Sequence, residues 1–264
     1  MKIYDLPDEI LVEADGPIRI VTLNRPDRLN ATNHVLHAGL AALFPQLDAD
    51  EEARVAVLTG SGRAFSAGGD FEYIDELSRD RDLRSLTLVH GRQIVTGMVG
   101  CRLPIIAAVN GPAVGLGCSL VALSDIVYMA ESAHLADPHV ALGLVAADGG
   151  PVVWPLLTSL QLAKEYALTG EKIPAQRAAE IGLVNHVVAD DQVLTHAMEC
   201  ARRIARLPQG AVEDTKRVLN IQMERAVLAV LDYALAAEDR SFTTPELRAN
   251  VDRMLKRSSE GSAG

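Results

Sequence analysis

Two stretches of small residues, 64–70 (Ala-Phe-Ser-Ala-Gly-Gly-Asp) and 110–117 (Asn-Gly-Pro-Ala-Val-Gly-Leu-Gly), stand out as places where the main chain itself can do chemistry. Each follows an apolar, strand-like run, 55–58 and 105–109. Loops of this kind can turn backbone N–H groups outward, and small residues let a ligand approach them closely. Two such loops aimed at one point would hold a carbonyl oxygen and stabilise the negative charge that develops on it. Proton transfer beside that carbonyl needs a titratable side chain as well. Asp148 follows an apolar run and precedes Gly149-Gly150-Pro151, so it reads either as that acid or base or as the cap of a helix starting near 151. Asp137 is a further acid candidate, although Asp137-Pro138 is also an ordinary turn dipeptide.

The framework that has to position these groups reads as α/β. Runs at 10–12 and 18–23 flank Gly16-Pro17 and predict a hairpin, and 24–30 is a loop. Thr32 or Asn33 caps a helix to about 47, on which Leu36, Leu40, Leu43, Phe44 and Leu47 recur at helical spacing, with Pro45 expected to kink or end it. Strands at 55–58, 105–109 and 126–129 alternate with helices at 82–99 and from 117 onward. Further helices are expected at 160–168, 175–181, 192–205 and 210–238. This divides the chain into a core over 1–200, a helical region over 201–257 and a disordered tail over 258–264.

Composition narrows the function classes. The 25 basic and 35 acidic residues give a net charge of −10, which opposes sequence-independent nucleic-acid binding. No run approaches the ~18 apolar residues of a membrane span, and the first residues lack the pattern of a secretory signal. Cys101, Cys118 and Cys200 have no metal-ligand spacing and read as buried thiols of a reducing, cytoplasmic compartment. His134 and His139 are poorly spaced as a metal pair, so no metal is expected.

The two loops resemble those of the crotonase (enoyl-CoA hydratase/isomerase) superfamily. Ordered support comes from Leu23-Asn24-Arg25-Pro26, Leu58-Thr59-Gly60, Ala107-Ala108-Val109-Asn110-Gly111, Ser124-Asp125-Ile126, Leu168-Thr169-Gly170 and Gly182-Leu183-Val184. The resemblance implies a ββα spiral core with a C-terminal helical trimerisation region, a homotrimer or dimer of trimers, and an acyl-CoA thioester substrate. Coenzyme A would enter as part of that substrate, with no permanently bound cofactor. The oxyanion-hole N–H groups would be those of Gly69 and Leu116, the second standing where the family usually has glycine. Arg28, Leu29, Ala31, Ala67, Gly68 and Asp70 would meet coenzyme A, and Lys256 would reach it from a neighbouring subunit.

The resemblance also exposes a gap. The positions that carry the two hydratase glutamates fall on Ser119 and His139, neither of them a carboxylate. Serine can hold a water but is no base, whereas an imidazole can accept a proton at neutral pH. Asp148 is therefore the first acid/base candidate and His139 the second, the alternative for His139 being a hydrogen-bonded structural histidine. A subgroup likeness runs through Asp137-Pro138-His139, Asp148-Gly149 and Val153-Trp154-Pro155 to crotonase-fold β-diketone hydrolases of the 6-oxocamphor hydrolase type. His37 falls near a histidine of that type, or is a helix-surface residue. Three functions follow: an acyl-CoA lyase, hydratase or isomerase; a carbon–carbon hydrolase of a β-diketone; and a catalytically silent binding paralogue.

Overall fold

The computed structural model describes residues 3–261, in the expected alternation of strands and helices. Strands β1 (Ile10–Asp15) and β2 (Ile18–Leu23) form the hairpin, with Ile10 opposite Leu23. Strands β3 (Val55–Gly60), β4 (Ile105–Val109), β6 (Ile126–Ala130) and β9 (His186–Val188) add to β2 in parallel, giving the order β1-β2-β3-β4-β6-β9. Both β3 and β4 are buried along their whole length, as parallel strands covered on two faces must be. A small second sheet joins β5 (Ala113–Val114), β7 (His134–Ala136) and β8 (Ile173–Pro174). It ties the second small-residue loop to the segment that carries Asp137 and His139.

Helix α1 (His34–Ala49) starts at the Asn33 cap, whose side chain accepts the Leu36 N–H. It passes straight through Pro45. An interior proline costs about 3 kcal/mol, but Leu43, Phe44 and Leu47 are all fully buried on this turn, and each side chain contributes roughly 1.5–3 kcal/mol. Packing therefore overrides the helix-ending expectation. Helix α2 (Phe71–Arg79) has no counterpart among the expected elements. Asp70 caps it, and Tyr73, Ile74 and Leu77 form its buried side. It is followed by α3 (Arg81–Gly100), which packs on α1.

Helix α9 (Val193–Ala205) lies across β2, β3, β4 and β6, so the boundary expected at residue 200 falls inside a helix of the core. Helix α10 (Gln209–Ser241) is pinned to that core. Lys216 Nζ donates to the Leu103 carbonyl at 2.7 Å and pairs with Asp125 at 2.8 Å, and Asn220 donates to the Val99 carbonyl at 2.9 Å. At its far end Arg84 Nε reaches Asp239 at 2.7 Å. Helix α11 (Pro245–Gly261) folds back against α2. Its backbone carries past residue 258, where the tail was expected to begin; 262–264 lie outside the described residues. Cys101, Cys118 and Cys200 are buried free thiols. No helix among the described residues is long and apolar enough to cross a membrane.

Candidate active site

The two small-residue loops are laced to each other and to the 24–32 loop. The Val114 N–H donates to the Ser66 carbonyl at 2.9 Å, the Thr32 N–H to the Gly68 carbonyl at 2.7 Å, and the Ala67 N–H to the Leu29 carbonyl at 2.9 Å. Many N–H groups of these loops are thereby used. Those of Gly69 and Leu116 are not: neither donates to a protein acceptor, and both residues line one cavity of about 300 Å³.

Leucine at 116 is tolerated because the unusual conformation falls one residue earlier. Gly115 takes φ +52° and ψ −122°, and Leu116 begins α4 (Leu116–Ala122) in a helical conformation. A β-carbon on Gly115 would also come within 3.6 Å of the Gly68 Cα and of the His139 ring. The second donor thus survives the departure from glycine.

His139, at the start of α5 (His139–Leu142), stands beside the same cavity. Its Nδ1 lies 2.5 Å from Asp137 Oδ1 and its Nε2 lies 3.7 Å from Asp148 Oδ2. Asp137 is 1% exposed, and its Oδ2 is a buried acceptor with no partner. Burial opposes a charge on His139, but Asp137 and Asp148 outweigh it and push the imidazole up to about 10. Burial raises the Asp148 carboxyl above the ordinary range, Asp137 adds to that, and the His139 charge works against it. His139 and Asp148 therefore titrate as a unit.

Ser119 is fully buried on α4 and is absent from the cavity wall. Its Oγ donates to Asp148 Oδ1 at 2.6 Å and accepts the Gly150 N–H at 3.0 Å. It bonds to Asp148 from behind the cavity wall, so the residue expected among the catalytic groups meets the cavity through that carboxylate. The close turn requires glycine at 150, where a β-carbon would sit 2.9 Å from Ser119 Oγ. Helix α6 (Gly150–Leu157) starts after Asp148, and no side chain caps it, so Asp148 is not the helix cap that was its alternative reading.

The expected coenzyme A contacts divide. Ala67 and Gly68 line the cavity; Leu29, Ala31 and Asp70 do not. The Asp70 side chain caps α2 and pairs with Arg25 at 3.3 Å and Arg28 at 3.7 Å. Arg28 is half exposed and also reaches Glu72 at 3.1 Å. Lys256 is exposed on α11 outside the cavity wall, where Asn250, Arg253 and Met254 stand instead.

One cavity residue escaped the sequence. Glu238, near the end of α10, faces the same space, and burial raises its carboxyl to about 8, with Asp148 and Asp137 adding to the effect of burial and His139 opposing it. No local motif marks it, because only the fold of α10 over the core brings it to the site. Phe71, Ile74, Leu77, Leu142, Leu144 and Phe242 make much of the remaining wall apolar, with Thr32, His37, Tyr73, Thr87, Asn250 and Arg253 adding polar groups. Among the described residues Asp137, His139 and Asp148 offer possible metal-ligand atoms within 4.8 Å of one another. The 2.5 Å contact between His139 and Asp137 is, however, a hydrogen bond through a proton, which occupies donor atoms an ion would need.

Comparison with known proteins gives the family. A family model described as enoyl-CoA hydratase/isomerase matches residues 13–257. The 2,3-dehydroadipyl-CoA hydratase of Escherichia coli K12 is 34% identical over 245 residues, covering 93% of this chain and 92% of that protein. The 1,2-epoxyphenylacetyl-CoA isomerase of the same organism is 30% identical over 257 residues, covering 97% and 98%. A crystal structure of an enoyl-CoA hydratase/isomerase from Mycobacterium paratuberculosis superposes with a TM-score of 0.93 at 65% identity, covering 95% of this chain and all of that one.

Proposed function

The chain belongs to the enoyl-CoA hydratase/isomerase family, and from that footing we propose that it holds an acyl-CoA carbonyl between the N–H groups of Gly69 and Leu116 and moves a proton at the neighbouring carbon. What supports this is that Gly69 and Leu116, on two mutually pinned loops and with N–H groups that have no protein acceptor, line one cavity together with His139 and Asp148. A thioester oxygen accepting both bonds gathers charge as the α-proton leaves, and preorganised donors stabilise that enolate more than the ground state.

Asp148 acts as the base. Its carboxyl is raised toward working pH, which matches a base to its task. Asp148 takes the α-proton, while the His139 imidazolium, held by Asp137 with its Nε2 3.7 Å from Asp148, gives its own Nε2 proton to the enolate or to a leaving group and is reprotonated from Asp148. This unit replaces the pair of hydratase glutamates, so simple short-chain enoyl-CoA is expected to be hydrated weakly or not at all. Arg28, beside the 24–32 loop, supplies a cation for a coenzyme A phosphate by exchanging its Glu72 partner. Leu219, Leu228 and Tyr233 leave apolar surface exposed on α10, which supports a trimer assembled through that helix.

The test is α-proton exchange of a saturated acyl-CoA in heavy water, followed by NMR. Exchange by the wild type and its loss by at least ~100-fold in Asp148→Asn support the proposal; equal rates in both would refute it. A second reading, hydrolysis of a carbon–carbon bond in a β-diketone, is favoured by one observation: the acid–base group next to the paired donors is a His–Asp unit rather than two carboxylates. Turnover of a cyclic diketone with no thermal shift from acetoacetyl-CoA would select it. A silent paralogue would show no turnover of either class that Asp148→Asn and His139→Ala abolish.

A further inference from the structure

Three histidines cluster beside the cavity, with His37 in its wall, and play no part in the chemistry above. His37 and His34 come from successive turns of α1, and His90 comes from α3. The His37 and His90 ring centroids are 6.1 Å apart, and those of His34 and His90 6.4 Å. Tyr73 closes the group at 6.1 Å from His34 and 6.5 Å from His37. The Nδ1 atoms of all three imidazoles are buried without a hydrogen-bond partner. Unpaired buried polar atoms are rare in a folded chain, and three together call for an explanation. Tyr73 does not supply one, since its hydroxyl bonds to Thr87 Oγ1 at 2.5 Å.

A shared metal ion does not supply one either. The three-ligand group whose atoms come within 4.8 Å, among the described residues, is Asp137, His139 and Asp148, not these histidines. A protonated cluster is equally unsuited, because burial and the neighbouring His90 and His34 press His37 down to about 3. The His37 imidazole is neutral, with one donor and one acceptor nitrogen. His37 is only 8% exposed, yet it lines the cavity together with Tyr73 and Thr87.

We propose that this wall is a polar subsite for the far part of the acyl group, where His37, backed by His34 and His90, hydrogen-bonds an uncharged oxygen, a ketone or a hydroxyl, in an otherwise apolar chain or ring. The inference rests on the acyl-CoA reading above and deepens it. A pocket lined by leucines and phenylalanines accepts hydrocarbon without discrimination, whereas one buried imidazole in its wall rewards an acyl chain that carries an oxygen at the right carbon. A carboxylate is disfavoured, since it would need a charged imidazole opposite.

The test uses the full chain and measures binding of octanoyl-CoA, of octanoyl-CoA analogues with a single keto group at successive chain positions, and of the analogue ending in a carboxylate. Wild type is expected to bind one keto analogue about tenfold more tightly than octanoyl-CoA, and His37→Phe to lose that preference while still binding octanoyl-CoA. His90→Phe, which leaves the cavity wall in place, is expected to weaken it partly. Thermal unfolding separates loss of fold from loss of preference, and His37→Leu serves if the phenylalanine variant does not fold. Equal affinities across the keto series, a preference that survives in the folded His37 variant, or tightest binding of the carboxylate would overturn the subsite. Failure of every acyl-CoA to bind would instead overturn the underlying acyl-CoA reading and the subsite with it.

Discussion

Replacing Leu116 with proline removes one of the two proposed oxyanion donors at a position the fold tolerates. Leu116 is the first residue of α4, where proline's fixed φ suits the helix and its missing N–H breaks no intrahelical bond. The preceding residue is usually restricted by proline, but Gly115 is in a mirror-image extended conformation with no β-carbon to clash. The N–H that disappears has no protein partner, so its loss strands no acceptor. Losing one such donor costs about 3–4 kcal/mol of transition-state stabilisation, a fall in kcat of roughly 100- to 1000-fold. Leu116→Ala is the control. It empties a 6% exposed site and should cost about 2–5 kcal/mol of stability, yet it keeps the N–H and most of kcat. The assay is α-proton exchange at saturating acyl-CoA, with thermal unfolding measured alongside. Proline and alanine variants within threefold of each other in kcat would refute the assignment of this amide.

Other outcomes follow from the same geometry. His139 is raised above its unfolded value near 6.5 to about 10, so its contribution to stability is complete below pH 6.5 and is lost as the pH rises toward 10; Tm should fall over that window, and NMR titration of Asp137→Asn should show the imidazole moved sharply down. An imidazole still titrating near 10 in that variant would contradict the assigned cause. Glu238 is likewise raised, to about 8, but as an acid: the unfolded chain gives up this proton first, so its contribution to stability is lost as the pH rises from about 4.5 to 8. Glu238→Gln should flatten that slope in urea unfolding, and an unchanged slope would count against a protonated Glu238. Ser119→Ala should lower kcat while leaving KM nearly unchanged, and destabilise by about 1–3 kcal/mol, because the Gly150 N–H and Asp148 lose a shared partner. A change confined to KM would mean that Ser119 meets the substrate.

The sheet was legible in the sequence because β3 and β4 are buried on both faces and have to be apolar throughout. The loop glycines were legible for a related reason: close backbone approach leaves no other choice of residue. Asp148 could be singled out by its glycine-rich setting, but its partnership with Ser119, 29 residues away, could not. Helix α2 could have been found, since Asp70 is a standard cap and Tyr73, Ile74 and Leu77 repeat at helical spacing. The early loop reading simply ended at residue 70. Pro45 misled because the local rule against interior proline is weaker than the burial of Phe44 and Leu47. Glu238 and the His34–His37–His90 group were beyond reach in principle. Their meaning lies in tertiary proximity between α10 and the catalytic loops and between α1 and α3, and nothing periodic records it.

The route of α10 has a consequence for how the molecule is made. Both loop amides, Asp137, His139 and Asp148 lie within the first 148 residues, but Leu235, Glu238 and Phe242, which roof the cavity, arrive some ninety residues later. A ribosome adding roughly 5–20 residues per second leaves that apolar bowl uncovered for several seconds. Until those residues arrive the open cavity is a sticky surface, and the hold of Lys216 on Leu103 and Asp125 anchors the start of the helix that will cover it.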